Sequence, residues 1–270
     1  MGRKSYEEST AACDRRLMCA AAGRLTMGRM GVLYRVALVV HLVAGAVALL
    51  TFLVPLVARK GGRTHRRVGW VYVVAAWVVA GSGAVVCGRL IADPRPFRHR
   101  AGIFLLYVGL LAAVSALLGV RALRAKRRTD ASRDPIDLVP PLLLVAGGVG
   151  LAAFGVREGI LLFVLFAALG TAQGAAWLRF WLTPPATSRE WFFAHMSGMG
   201  TSCITTVTAF VVVNAHHLGM RTFDLVLWVS PIALGAGGLT FWIRHYRRRF
   251  AGEGTTVTSA LTAGQGNEPS

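Results

Sequence analysis

The chain has 270 residues, 54% of them apolar and only 16% charged, with a mean hydropathy of +0.54. A water-soluble domain carries about 25% charged residues, so soluble enzymes, secreted disulfide scaffolds and nucleic-acid-binding modules are excluded. The net charge of +18 sits between apolar segments, where Lys and Arg set membrane topology. It therefore describes loops facing anionic lipid, not a surface for nucleic acid.

Residues 1–30 are polar and mixed in charge, with one short apolar run at Leu17–Gly23. That run is too short for a signal-peptide core. Met27 and Met30 offer later starts, and the segment before them is expected to be disordered or untranslated. Residues 31–250 are predicted to form an all-α bundle of seven transmembrane helices. Its uncharged stretches are Val36–Ala58, Val68–Gly88, Ala101–Val120, Leu138–Val156, Gly159–Leu178, Trp191–Met220 and Leu225–Ile243. Each is near or above the roughly 20 residues that a bilayer span needs. The sixth is longer than needed, so its end near Asn214 is expected to turn at the interface.

Only Arg157-Glu158 separates the fourth and fifth stretches, and Gly155 and Gly159 flanking that pair favour a tight helical hairpin. Pro140-Pro141 is placed in the first turn of the fourth helix, where a missing N–H costs little. The tail 251–270 reads as solvated and disordered. Trp70, Tyr72, Trp177 and Trp191 fall near predicted span ends, as an interfacial aromatic belt would place them. Loop charge orients the bundle: the loops after spans one, three, five and seven carry 17 basic residues against 5 in the opposite set. The expected topology has the N-terminus outside and the C-terminus in the cytoplasm.

No Walker loop, GxGxxG, HExxH or GxSxG is present, and no catalytic residue is assigned. The four cysteines form no CxxC pair or metal-ligand spacing. The pair Gly170 and Gly174 reads as a close-packing GxxxG. In the sixth span His195, Gly198, Ser202, Thr205, Thr206 and Ala209 share one helical face, too polar to meet lipid.

Depth counting then brings His65, Arg66, Arg67, Asp137, Gln173 and His195 toward the cytoplasmic face. Such a group can bind a metal, an anionic lipid head group or a small ligand such as a quinone. His41 is the only ionisable residue within the first span and a candidate axial haem ligand. That gives the alternative of a b-type haem electron-transfer protein. By the same counting His41 and His195 lie roughly 15 Å apart along the membrane normal, too far to share one haem. Two further readings stay open, a structural or assembly partner whose polar faces only pack helices, and a transporter. The transporter lacks the inverted repeat such proteins show.

Two stretches carry a family resemblance. His41 to Gly45 leads into the run from Arg59 to Tyr72, RKGGRTHRRVGWVY, and later come WFFAHM over 191–196 and TAFVVVN over 208–214. Together they resemble a family of uncharacterised bacterial multi-pass membrane proteins, catalogued as a domain of unknown function. Its features are an early intramembrane His, a basic KG…HR…G…Y cytoplasmic turn and a late helix with H…M…TAF. The resemblance implies a bacterial plasma-membrane location and marks His41, His65 and His195 for test. It supplies no activity, substrate or cofactor.

Overall fold

A computed structural model describes residues 31–215, Gly219 and 225–265, with 251–265 as backbone only. The expectation for residues 1–30 lies outside the described residues. Among those described, all regular structure is helical, and seven helices are long and apolar enough to cross a membrane. They are α1 (Gly31–Val57), α2 (Arg63–Ile91), α3 (Pro96–Arg121), α4 (Pro135–Arg157), α5 (Leu161–Leu182), α6 (Glu190–Val213) and α7 (Leu225–Gln265). A 3₁₀ turn, Ala122–Arg127, extends α3. The helix α7 runs on into the segment read from the sequence as tail.

Helix α3 is the hub, packed against α2, α4, α5 and α6. Half of its most apolar window is buried inside the bundle, against 11% for α7 and 17% for α1. Lipid is the remaining solvent for those outer helices, which explains their exposed Leu and Val side chains. Near the start of α3, Phe104 stacks on Phe163 at 4.7 Å, and Trp228 of α7 meets Phe104 and Phe166 edge-on at 4.8 and 5.2 Å. Offset and edge-to-face pairs of this kind suit the ring quadrupoles.

Glycine lets α5 approach its neighbours. A β-carbon at Gly170 would overlap the Tyr107 hydroxyl, and one at Gly174 would lie 2.8 Å from the Pro141 carbonyl. Dispersion and close packing drive helix association in lipid, so small residues belong at such crossings. The GxxxG reading is borne out. The α4–α5 hairpin is a Schellman turn: Ile160 N–H donates to Gly155 O at 2.8 Å and Gly159 N–H to Val156 O at 3.2 Å. Gly159 takes φ +67°, a conformation that disfavours a β-carbon.

Two expectations are corrected. Asp134 caps α4 by accepting from Ile136 N–H, and Pro135 occupies the first turn. The helix therefore starts early enough to place Pro140 and Pro141 inside it rather than at its first turn. Tyr72 and Trp177 are buried, at 1% and 4% exposure, because their faces point at α6 and at the bundle core, not at the interface. Trp70 does stay exposed.

Between α2 and α3, the Asp93 carboxylate receives Arg95 Nε at 2.8 Å, Arg95 Nη2 at 2.7 Å and Arg98 Nη1 at 3.1 Å. These hydrogen bonds, Arg95 first, hold its carboxyl well below the usual carboxylate range. A depressed folded value stabilises above the unfolded value of about 4 and fades as pH falls below it. Thermal melts should show Asp93→Asn less stable than the wild type at pH 7, with the gap narrowing as pH drops from 4 toward 3. A gap independent of pH would contradict this.

Candidate functional site

The two ends of α1 and α3 each leave carbonyls without a helical partner, and the same end of the bundle supplies donors for them. The turn after α1 is tight, with Gly62 N–H donating to Arg59 O at 3.0 Å and Gly61 at φ +76°. It folds Lys60 back so that Nζ donates to Pro55 O at 2.9 Å and Leu56 O at 2.7 Å. Burial pulls the Lys60 ammonium below its ordinary value. The same ammonium lies 4.9 Å from the Trp242 ring.

His65, in the first turn of α2, places Nδ1 3.0 Å from Pro55 O. His195, in the second turn of α6, places Nδ1 2.7 Å from Gly119 O near the end of α3. A carbonyl only accepts, so each Nδ1 carries the proton and the tautomer is fixed. The two rings meet with centroids 6.4 Å apart and planes 66° apart. Among the described residues, neither Nε2 has a hydrogen-bond partner. Two half-buried imidazoles thus present lone pairs at one end of the bundle. Lys126 lies 4.7 Å over the ring of Trp191, one turn before His195.

The close contact of α3 and α6 sets His195 in place. A β-carbon at Gly198 would lie 2.7 Å from both Gly119 Cα and Ser115 O, so only glycine permits this crossing. Below it, buried Tyr72 bridges α2 to α6, its hydroxyl 2.9 Å from Ser202 Oγ and 3.5 Å from Thr206 Oγ1. Thr205, Thr206 and Thr208 return their hydroxyls to carbonyls one turn back. The polar face of α6 therefore points inward as expected, and it packs helices. Replacing Tyr72 by Phe removes one buried hydrogen bond, worth about 1 kcal/mol. Its melting temperature should fall by roughly 2–4 °C while the His65–His195 end stays intact. An unchanged melting temperature would contradict the bridge.

The remaining expected members do not join the histidine pair. Asp137 is buried, but its partners are Arg121 Nε and Ser132 Oγ, the latter at 2.8 Å. Arg121 also donates to Asp134 at 2.7 Å. That ion cluster lies just beyond Gly119 on α3, and it belongs to the α3–α4 connection. Arg66 and Arg67 turn outward with Arg63 and Trp70 around a shallow surface hollow. Gln173 lies on α5, which packs on α4 and α3, and it makes no hydrogen bond with the histidines or with Asp137.

His41 is held elsewhere. Its Nδ1 lies 3.0 Å from Val79 O, and its ring fills the space over Gly83, whose β-carbon would be 3.1 Å from Cε1. The room for the ring is supplied by α2, at Gly83. Among the described residues, no ring contact joins His41 to another imidazole. His216 and His217 lie outside the described residues.

Lys60 and the Tyr72–Ser202 bridge were missed from sequence. For Lys60 the signal was available: a lysine just past a helix end, before Gly-Gly, is placed to cap that helix. Comparison with protein-family models, with curated proteins and with solved structures finds no match to this chain.

Proposed function

We propose that this integral membrane protein holds a haem iron between Nε2 of His65 and Nε2 of His195. The observation that carries the reading is a pair of imidazoles, each oriented through Nδ1 by a backbone carbonyl and each left with a free Nε2. That second hydrogen bond is what fixes the tautomer of metal-ligating histidines.

Donor count selects the group. Among the described residues no third His, Cys, Asp or Glu joins the pair, whereas a structural zinc needs four ligands. A haem brings four nitrogens of its own and asks the protein for axial ligands only. His65 and His195, whose ring centroids lie 6.4 Å apart, would together hold the group. A haem held there would supply one-electron transfer. The chain's own part is to orient both rings, to lend the nearby Lys60 and Lys126 charges, and to keep the pair half-buried. His41 as a haem ligand is the alternative, but among the described residues no ring contact joins it to a second imidazole.

The loop charges support a topology with this end in the cytoplasm, the N-terminus outside and the C-terminus inside. The motif resemblance supports a bacterial plasma membrane. The competing reading makes both histidines structural clasps, since each satisfies a carbonyl at a helix end. An absorption spectrum of detergent-purified protein, air-oxidised and then dithionite-reduced, separates the two. The haem reading expects a Soret band that shifts on reduction. Colourless protein produced with ample haem overturns it.

A further inference from the structure

A second site lies beyond the ion cluster of Asp137, where the α3–α4 connection meets the last turn of α5. A hollow of about 370 Å³ opens there, lined by Arg121, Arg124, Arg127, Arg128, Ser132 and Trp181 among others. This connection is built, not loose. Ser132 N–H and Arg128 Nη1 both donate to Trp181 O, at 2.7 and 3.0 Å. Ser132 Oγ then donates to Asp137, and Asp134 caps α4.

The charges around the hollow do not balance. Arg121 is matched by Asp134 and Asp137. Asp130, also in the lining, accepts from its neighbour Thr129 at 2.8 Å. Arg124 and Arg127 are exposed, and among the described residues neither forms an ion pair. The Arg128 guanidinium lies 4.6 Å from the Phe180 ring and 5.4 Å from the Trp181 ring. Its Nε and Nη2 are shielded from solvent and have no acceptor, and Trp181 Nε1 is in the same condition. Burial pulls this guanidinium below its ordinary value, and Glu190 and Asp137 offset that only by longer-range attraction. A buried donor without an acceptor costs about 1–3 kcal/mol, more when charged, and a small turn of the Arg128 side chain toward the hollow would let a bound anion remove that cost.

We infer that this hollow is an anion site for a phosphate group, gripped by Arg124, Arg127 and Arg128 with Ser132 and Trp181 at its wall. Guanidinium forks match phosphate oxygens in geometry. Trp181 lines the hollow at the end of a membrane-spanning helix, where an interfacial headgroup lies. The site is separate from the histidine pair and stands or falls without it.

Calorimetric titration of the detergent-purified full chain tests it with three probes: inorganic phosphate, dihexanoyl phosphatidylglycerol and zwitterionic dihexanoyl phosphatidylcholine. The Arg124→Gln/Arg127→Gln double variant, altered only at exposed positions, should bind at least tenfold more weakly with an unchanged melting temperature. Competition between phosphate and phosphatidylglycerol means that either source is taken. Binding of phosphatidylglycerol alone identifies a lipid headgroup, and binding of phosphate alone a soluble ligand. The inference is overturned if neither binds, if phosphatidylcholine binds equally, or if the double variant keeps full affinity.

Discussion

Purified His65→Ala and His195→Ala proteins are each expected to lose the haem absorbance, by tenfold or more per chain relative to the wild type. On the proposed reading each variant would remove one of the two residues that hold the group, and with no third candidate among the described residues nothing would replace it. The double variant should lose little beyond either single one, because two ligands of one centre act as a unit. His41→Ala serves as the control. Its ring packs over Gly83 and bonds to Val79 O, so it should lower stability and leave the colour in place. Substitution also leaves Pro55 O or Gly119 O without its partner, and some loss of stability accompanies loss of colour. Retention of colour in both single variants, or its loss in His41→Ala alone, would contradict the assignment.

The second large effect belongs to Gly198. An Ala side chain there meets backbone atoms of α3, Gly119 Cα at 2.7 Å, Ser115 O at 2.7 Å and Gly119 N at 2.9 Å. Backbone cannot swing aside as a flexible side chain does, so the helices must part. Overpacking of this kind costs about 1–3 kcal/mol, which for a chain of this size lowers the melting temperature by roughly 2–12 °C. Parting α3 from α6 also draws His195 Nδ1 away from Gly119 O, so Gly198→Ala should hold less haem than the wild type even while folded. Gly81→Ala is the matched control, since a β-carbon there meets nothing within 4 Å. Equal melting temperatures for the two variants would contradict the close crossing.

How much of this was legible in the sequence follows from the range of each interaction. The seven spans were readable because a run of about 20 uncharged residues has few alternatives in a membrane protein. The α4–α5 hairpin was readable because its Schellman turn is local and needs a glycine at one position, Gly159. Pro140-Pro141 misled in register only: Asp134 and Pro135 together make the stronger helix start, and both lie a few residues upstream. Tyr72 misled by category. Its place near a span end suits an interfacial aromatic, but its partner Ser202 is 130 residues away and no local pattern announces that bond.

The candidate site divided along the same line. His65 and His195 were correctly placed at one end of the bundle by counting residues along helices. That count fixes depth and leaves azimuth free. Asp137, Arg66 and Arg67 share that depth range, but they face the α3–α4 connection and the outer surface, and among the described residues Gln173 makes no hydrogen bond to the pair. The Arg128 hollow escaped notice because a basic loop normally reads as solvated charge. Only packing against Phe180 and Trp181 turns one of its arginines into a buried group.

Imidazole rescue of His195→Gly tests the ligand pair most directly. Added imidazole can occupy the vacated position and bind iron, but it cannot rebuild a helix-to-helix clasp that needs a tether to α6. The haem assignment predicts a colourless His195→Gly protein that regains the wild-type reduced-minus-oxidised spectrum when produced and purified in millimolar imidazole. A variant that keeps the wild-type spectrum without imidazole, or one that stays colourless at any imidazole concentration beside a coloured wild type, would contradict it.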